Sequence, residues 1–161
     1  MSLQVKIIGS SHAGANVAYN LRRDGFEGDI EIISTESFPP YHRPPLSKDF
    51  LKGKTEKEKL TFKPEAFYAD NQITLTLDTE VLSIDRAAKT IETLEGTSAY
   101  DFLVLCTGSS PRKLNLDNAD LPEVLYLRDL QDAETIKAKL ADASHITLLG
   151  GGYIGLELAS A

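Results

Sequence analysis

The feature that most constrains this chain is the order of its first 34 residues. A short apolar run, "LQVKII" (3–8), stops at Gly9. From Ala13 onward apolar residues recur at Val17, Ala18 and Leu21, the spacing of one helix face, and the pattern ends at Asp24-Gly25. "DIEIIS" (29–34) follows, rich in β-branched residues and read as a second strand. Strand, loop, helix and strand in that order make the βαβ unit of a parallel sheet.

The next stretch, "TESFPPYHRPPLSKDFLKG" (35–53), carries prolines at 39, 40, 44 and 45. Such a segment is neither sheet ladder nor helix interior, and a short helix is expected to start at Leu46 or Ser47. "KGKTEKEKL" is charge-dense and reads as a solvated loop or helix face. Short alternating runs at 73–77, 80–84 and 89–94 suggest a small antiparallel meander. "YDFLVLCTG" (100–108) reads as a buried central strand closing on Thr107-Gly108. Asp129 is a good N-cap for a helix over 130–141, with Ala133, Ile136 and Leu140 on its apolar stripe. "HITLLGGGYIGLELASA" (145–161) then repeats the opening grammar of strand, glycines and helix. The second unit has no second parallel strand, so the expectation is that these residues are the N-terminal part of a longer protein.

A glycine loop between strand and helix has a physical purpose. Its first glycine makes the tight turn, its second lets backbone approach a dinucleotide's pyrophosphate, and its third lets helix and strand pack closely. The helix N-terminus then offers free N–H groups to the phosphates, and an acid about 20 residues on takes the ribose hydroxyls. Gly150, Gly152 and Gly155 fill all three positions in the later loop. In the earlier loop Gly9 and Gly14 flank Ser11, whose hydroxyl can itself donate a hydrogen bond to a phosphate. Glu36 follows the second strand, where the ribose acid belongs. Two such loops, about 140 residues apart, point to two dinucleotides, such as a flavin and a nicotinamide.

Composition narrows the partners. The formal charge of −7 argues against nucleic acid or an anionic membrane. An acidic surface would suit a basic partner, but serves solubility equally well. No apolar run approaches membrane-spanning length, and the start does not read as a signal peptide, so a cytoplasmic protein is expected. The single cysteine, Cys106, excludes an intrachain disulfide or multi-cysteine metal site and reads as a packing residue. His42 and His145 lack metal-ligand spacing, so no metal site is expected.

"PYHRPPLSK" (40–48), "LCTGSSPR" (105–112) and "GGGYIGLE" (150–157) together resemble the FAD-dependent ferredoxin and rubredoxin reductases of the pyridine nucleotide-disulfide oxidoreductase superfamily. The likeness covers essentially the whole chain, and Pro-Pro-Leu-Ser-Lys is its most specific part. It implies an α/β fold: a Rossmann-like FAD-binding domain with a parallel central sheet and a small antiparallel meander, then the start of a second Rossmann, NAD(P)-binding domain. The implied segments are 1–110 for FAD, 111–143 as a connection with a helix, and 144–161 opening the nicotinamide domain.

The resemblance also assigns residues. Gly9, Ser11, His12, Ala13 and Gly14 match the FAD pyrophosphate loop, and Glu36 the acid on the adenosine ribose. Arg43 and Lys48 match cations beside the pyrophosphate and isoalloxazine, and Val81 the position whose backbone meets the adenine. Thr107, Gly108 and Arg112 match the second flavin motif. Gly150, Gly152, Tyr153, Ile154 and Gly155 match the nicotinamide loop, and Glu157 the acid that approaches Lys48 and the flavin. Lys48 and Glu157 are the implied catalytic pair. On the residues alone, Arg43 and Arg112 read equally as surface arginines, His12 as a turn residue, and Lys48 and Glu157 as solvent-facing.

The family departs here in having Gly at position 11, and the proline-rich segment holds His42-Arg43 where disulfide-reducing relatives hold cysteine. The implied activity is electron transfer from NAD(P)H through FAD to a small iron–sulfur protein of ferredoxin or rubredoxin type, with no thiol–disulfide step. Two alternatives stand beside it: a flavin-binding or interaction module without turnover, and a single-cofactor Rossmann protein. The chain by itself is expected to bind FAD weakly and not to turn over NAD(P)H.

Overall fold

The computed structural model of the chain describes residues 2–161. These divide into two compact units, one running to Tyr41 and resuming over Thr61–Gly108, the other combining His42–Leu60 with Ser109–Ala161.

The first unit opens with β1 (Gln4–Ile8), α1 (His12–Arg23) and β2 (Asp29–Ile33), as the opening pattern demands. After α2 (Glu65–Asp70) come β3 (Ile73–Thr76), β4 (Ser83–Asp85), β5 (Thr90–Thr93), β6 (Gly96–Ala99) and β7 (Phe102–Leu105). The parallel sheet has the order β3-β2-β1-β7, and β4-β5-β6 form a separate antiparallel sheet. Residues 73–77 therefore do not begin the meander. Ile73 pairs with Ile30 and Leu75 with Ile32, so this segment completes the parallel sheet. The meander instead starts at Ser83–Asp85, near the expected second strand at 80–84, and its third strand, Gly96–Ala99, was not expected.

The sheet's two faces differ. Val5, Ile7, Ile30, Ile32 and Ile73 share one face and bury against Ala18 of α1 and Tyr68 of α2, forming the core. On the other face Lys6, only 8% exposed, ion-pairs with Glu31, whose second oxygen accepts from the Thr76 hydroxyl at 2.6 Å. The buried ammonium persists because the Glu31 carboxylate pairs with it, while the Thr76 hydroxyl satisfies that carboxylate's other oxygen. The expected central strand, β7, is an edge strand paired only with β1. Phe102 and Leu105 are more than half exposed.

Arg22, in the last turn of α1, donates to four backbone carbonyls: Phe26, Gly28, Asn71 and Gln72, at 2.6–2.8 Å. One guanidinium thus ties the end of α1 to the turn before β2 and to the turn before β3.

In the second unit a 3₁₀ helix spans Pro44–Ser47, starting earlier than expected. Pro44 and Pro45 occupy its first positions, where no N–H is needed and a fixed φ is an advantage. α3 (Leu130–Asp142) begins on Asp129, whose carboxylate accepts from the Asp132 N–H at 2.9 Å while the Asp132 carboxylate returns to the Asp129 N–H. Leu130 and Ala133 are buried, but Leu140 is exposed, so the apolar stripe covers only the start of the helix. α4 (Tyr153–Ser160) follows the second glycine loop. Residues 145–150 form no strand, contrary to the sequence pattern. A strand exists only through its ladder partners, and no described segment pairs with this one.

Candidate functional site

The first unit gathers its candidate residues at the carboxyl ends of β1, β2 and β7, the edge where parallel α/β sheets bind ligands. Gly9 leaves β1 with φ of +108°, and its N–H donates to the Ile33 carbonyl at 2.8 Å. A Cβ on Gly9 would lie 2.2 Å from the Cys106 carbonyl oxygen. A Cβ on Gly14 would lie 1.9 Å from the Gly9 carbonyl oxygen. Backbone therefore meets backbone at both positions, and glycine is a requirement of the turn itself.

Ser11 is the N-cap of α1, with φ −82° and ψ −165°, a conformation open to any residue. Its carbonyl accepts the first helical bond from Ala15 at 3.0 Å, but its hydroxyl makes no capping bond. The neighbouring Ser10, not singled out by sequence, is buried and donates to the Ser34 hydroxyl oxygen at 2.8 Å. His12 packs edge-on against Phe62, with ring centroids 4.5 Å apart. Ala13 sits beside it, in the first turn of α1.

Glu36 stands just beyond β2. The Tyr41 hydroxyl donates to its Oε2 at 2.6 Å, and its backbone N–H donates to the Ser34 hydroxyl at 3.2 Å. Tyr41, 2% exposed, is a residue of this candidate site that sequence reasoning missed. Thr107 and Gly108 follow β7 and are exposed, Gly108 with φ of +71°. Cys106 is half-buried against the core, and desolvation pushes its thiol pKa up, away from thiolate chemistry. Val81 is half-buried in the connection between β3 and β4.

The second unit brings together two of its candidates, Lys48 and Glu157. Arg43 precedes the 3₁₀ helix, and its guanidinium donates to the Arg128 carbonyl at 2.9 Å. Lys48 ends that helix, and its ammonium lies 2.8 Å from Glu157 Oε2. Ser47 donates to the same oxygen at 2.5 Å. These donors hold the Glu157 carboxyl below the usual carboxylate range, Lys48 first and Ser47 second. The sequence left this pairing open. Arg112 lies in an irregular, exposed segment.

The second glycine loop repeats the first. Gly150 has φ of +104°, Gly152 is the N-cap of α4 with φ −74° and ψ 173°, and a Cβ on Gly155 would lie 2.6 Å from the Gly150 carbonyl oxygen. Tyr153 and Ile154 are exposed on the first turn of α4. Among the described residues no cluster of His, Cys, Asp and Glu is arranged to hold a metal, and no helix is long and apolar enough to cross a membrane.

The sequence matches the pyridine nucleotide-disulphide oxidoreductase family over residues 3–161. The chain belongs to this family. Among its relatives, a rubredoxin-NAD(+) reductase of Pseudomonas putida is 42% identical over 160 residues, covering 99% of this chain and 42% of the relative. A putidaredoxin reductase of Pseudomonas putida is 39% identical over 160 residues, 97% of this chain and 38% of that one. A crystal structure of a ferredoxin reductase from Rhodopseudomonas palustris superposes with a TM-score of 0.92 at 41% identity, over 97% of this chain and 39% of that one. The reductase chain of a covalent putidaredoxin reductase–putidaredoxin complex gives 0.91 at 38% identity, over 98% and 39%. The chain thus spans about two-fifths of the length of these family members. Their fold is the α/β, Rossmann-type arrangement expected from the sequence.

Proposed function

We propose that this chain supplies the FAD-binding segment (residues 1–110), a connecting segment (111–143) and the opening of the NAD(P)H-binding segment (144–161) of a cytoplasmic FAD-dependent reductase. The enzyme takes electrons from NAD(P)H and passes them to a small iron–sulfur protein of ferredoxin or rubredoxin type. The observation that carries this reading is the same loop built twice: positive φ at the first glycine, an extended middle residue as N-cap, and a last glycine pressed on the first one's carbonyl. One chain with two such loops is equipped for two dinucleotides.

The residues fit the flavin's chemistry. α1 begins inside the Gly9–Gly14 turn, so the backbone of its first turn, His12, Ala13 and Gly14, is the helix N-terminus that a pyrophosphate would meet. Ser11 adds a hydroxyl at the N-cap. Glu36 is an acceptor pair for ribose hydroxyls, oriented by Tyr41. Val81 offers backbone to the adenine, while Thr107 and Gly108 bring a strand end to the cofactor. Arg43 and Arg112 contribute positive charge for phosphate. Lys48 brings a cation to the flavin ring, its charge offset by Glu157. Gly150, Gly152, Tyr153, Ile154 and Gly155 serve the nicotinamide nucleotide. When bound, FAD supplies the hydride acceptor and the single-electron donor that no side chain here provides.

The test is anaerobic addition of NADH or NADPH to the full-length protein loaded with FAD. Bleaching of the flavin, then reoxidation by a ferredoxin or rubredoxin, is the expected result. A bound flavin that neither nucleotide bleaches would overturn the reductase reading in favour of a flavin module without turnover.

A further inference from the structure

Two side chains, Ser47 and Lys48, meet at one carboxylate oxygen of Glu157 in the second unit. Ser47 closes the 3₁₀ helix and is only 5% exposed, and its hydroxyl donates to Glu157 Oε2 at 2.5 Å. The Lys48 ammonium lies 2.8 Å from that oxygen and 3.3 Å from the Pro44 carbonyl. The lysine and glutamate side chains are 48% and 33% exposed. An ion pair between two long, solvent-reached side chains holds its geometry poorly, because rotamer entropy and water compete with it. The serine differs. It has one side-chain torsion to its oxygen, and its backbone is fixed by Pro44 and Pro45 and by the bonds Leu46 N–H to Arg43 O and Lys48 N–H to Pro45 O, both 3.0 Å.

We infer that Ser47 is the positioning residue of this pair: it fixes the Glu157 carboxylate and, through it, the place of the Lys48 ammonium, the cation that the FAD reading above, on which this inference rests, assigns to the flavin. Glu157 is the only carboxylate of α4, and Lys48 is the charged group that reaches it from the 3₁₀ helix packed against it. A hydroxyl donor favours the ionised carboxylate without adding charge. Its loss leaves the cation in the neighbourhood but releases the anion's orientation. The contact is complete at neutral pH and is lost as pH falls through the lowered Glu157 value.

The test has two readouts on the full-length protein. The first is a carboxyl-carbon NMR titration of Glu157 without flavin, in the unchanged protein and in Ser47→Ala, Ser47→Thr and Lys48→Gln, with circular dichroism to verify folding. Ser47→Ala should shift the midpoint upward, Ser47→Thr should restore it, and Lys48→Gln should shift it further. A folded Ser47→Ala protein that titrates like the unchanged one would overturn the inference. The second readout is the midpoint potential of bound FAD, which Ser47→Ala should move and Ser47→Thr should not. A titration shift with an unmoved potential would overturn the flavin-directed role. Failure of the unchanged protein to bind FAD would instead overturn the function proposed above, while the titration would still decide whether Ser47 fixes Glu157.

Discussion

The loops Gly9–Gly14 and Gly150–Gly155 share one backbone solution and differ in their surroundings. In both, the last glycine faces the carbonyl of the first, at 1.9 Å and 2.6 Å for an added Cβ. In both, the middle residue is extended, with φ of −82° at Ser11 and −74° at Gly152. Only Gly9 is also pressed from outside, by the Cys106 carbonyl beyond β7, whereas a Cβ on Gly150 would meet open space. The comparison separates the reasons for a glycine in such a loop. The last position is required by closure of the turn. The first is required by its positive φ and, where a neighbouring strand is present, by that strand. The middle is required by neither, so a serine there is compatible with the fold.

The largest effect should come from the closing glycine. Gly14→Ala is expected to cost about 3 kcal/mol or more, since backbone must move to admit the methyl group. Gly155→Ala should cost less; equal urea midpoints for the two variants would break the comparison. Next comes the first position. Gly150→Ala carries only the strain of positive φ, about 1–2 kcal/mol, and Gly9→Ala should exceed it by about 1 kcal/mol or more because it also meets Cys106. Thermal melts of the pair check the order, and a costlier Gly150→Ala would contradict it.

Arg22 sharpens the comparison from the other end of the helix, since α1 is tied at both termini. Arg22→Ala should destabilise by about 2 kcal/mol, measured by urea unfolding, because four carbonyls lose a charged donor. A neutral result would show that closure of the glycine loop alone holds α1 in place. The smallest effect is expected at the middle position. Ser11→Gly should change the melting free energy by only a few tenths, about 0.3 kcal/mol, because the serine hydroxyl makes no capping bond.

The parts of the fold legible in the sequence are those decided locally. The β1–α1–β2 unit follows from apolar period and loop chemistry, and α3 from its Asp129 cap. Strand placement was less legible because it depends on distant partners. Residues 73–76 alternate as a meander strand would, yet Ile73 and Leu75 belong beside Ile30 and Ile32. Residues 145–150 have strand composition but no ladder. Apolarity placed 102–105 in a strand without revealing that it forms the sheet edge. At the candidate site, the turn-closing glycines and the place of Glu36 just beyond β2 were legible from spacing. Tyr41, Ser10 and Ser47 were not, because each acts through one hydroxyl on a partner that only the folded chain brings near. A "GSS" sequence gives no sign that Ser10 turns inward to Ser34 while Ser11 stands at the helix entrance.

The central claim, that the Gly9–Gly14 loop holds the FAD pyrophosphate, makes stability and binding move in opposite directions in one variant. An aspartate at the N-cap suits the helix, so Ser11→Asp should leave the melting temperature unchanged or raise it. The same carboxylate would face the phosphates. A fluorescence titration of FAD into the flavin-free, full-length protein should show the Kd rising by about tenfold or more, a loss of about 1.4 kcal/mol. An unchanged Kd in a folded Ser11→Asp protein would contradict the claim.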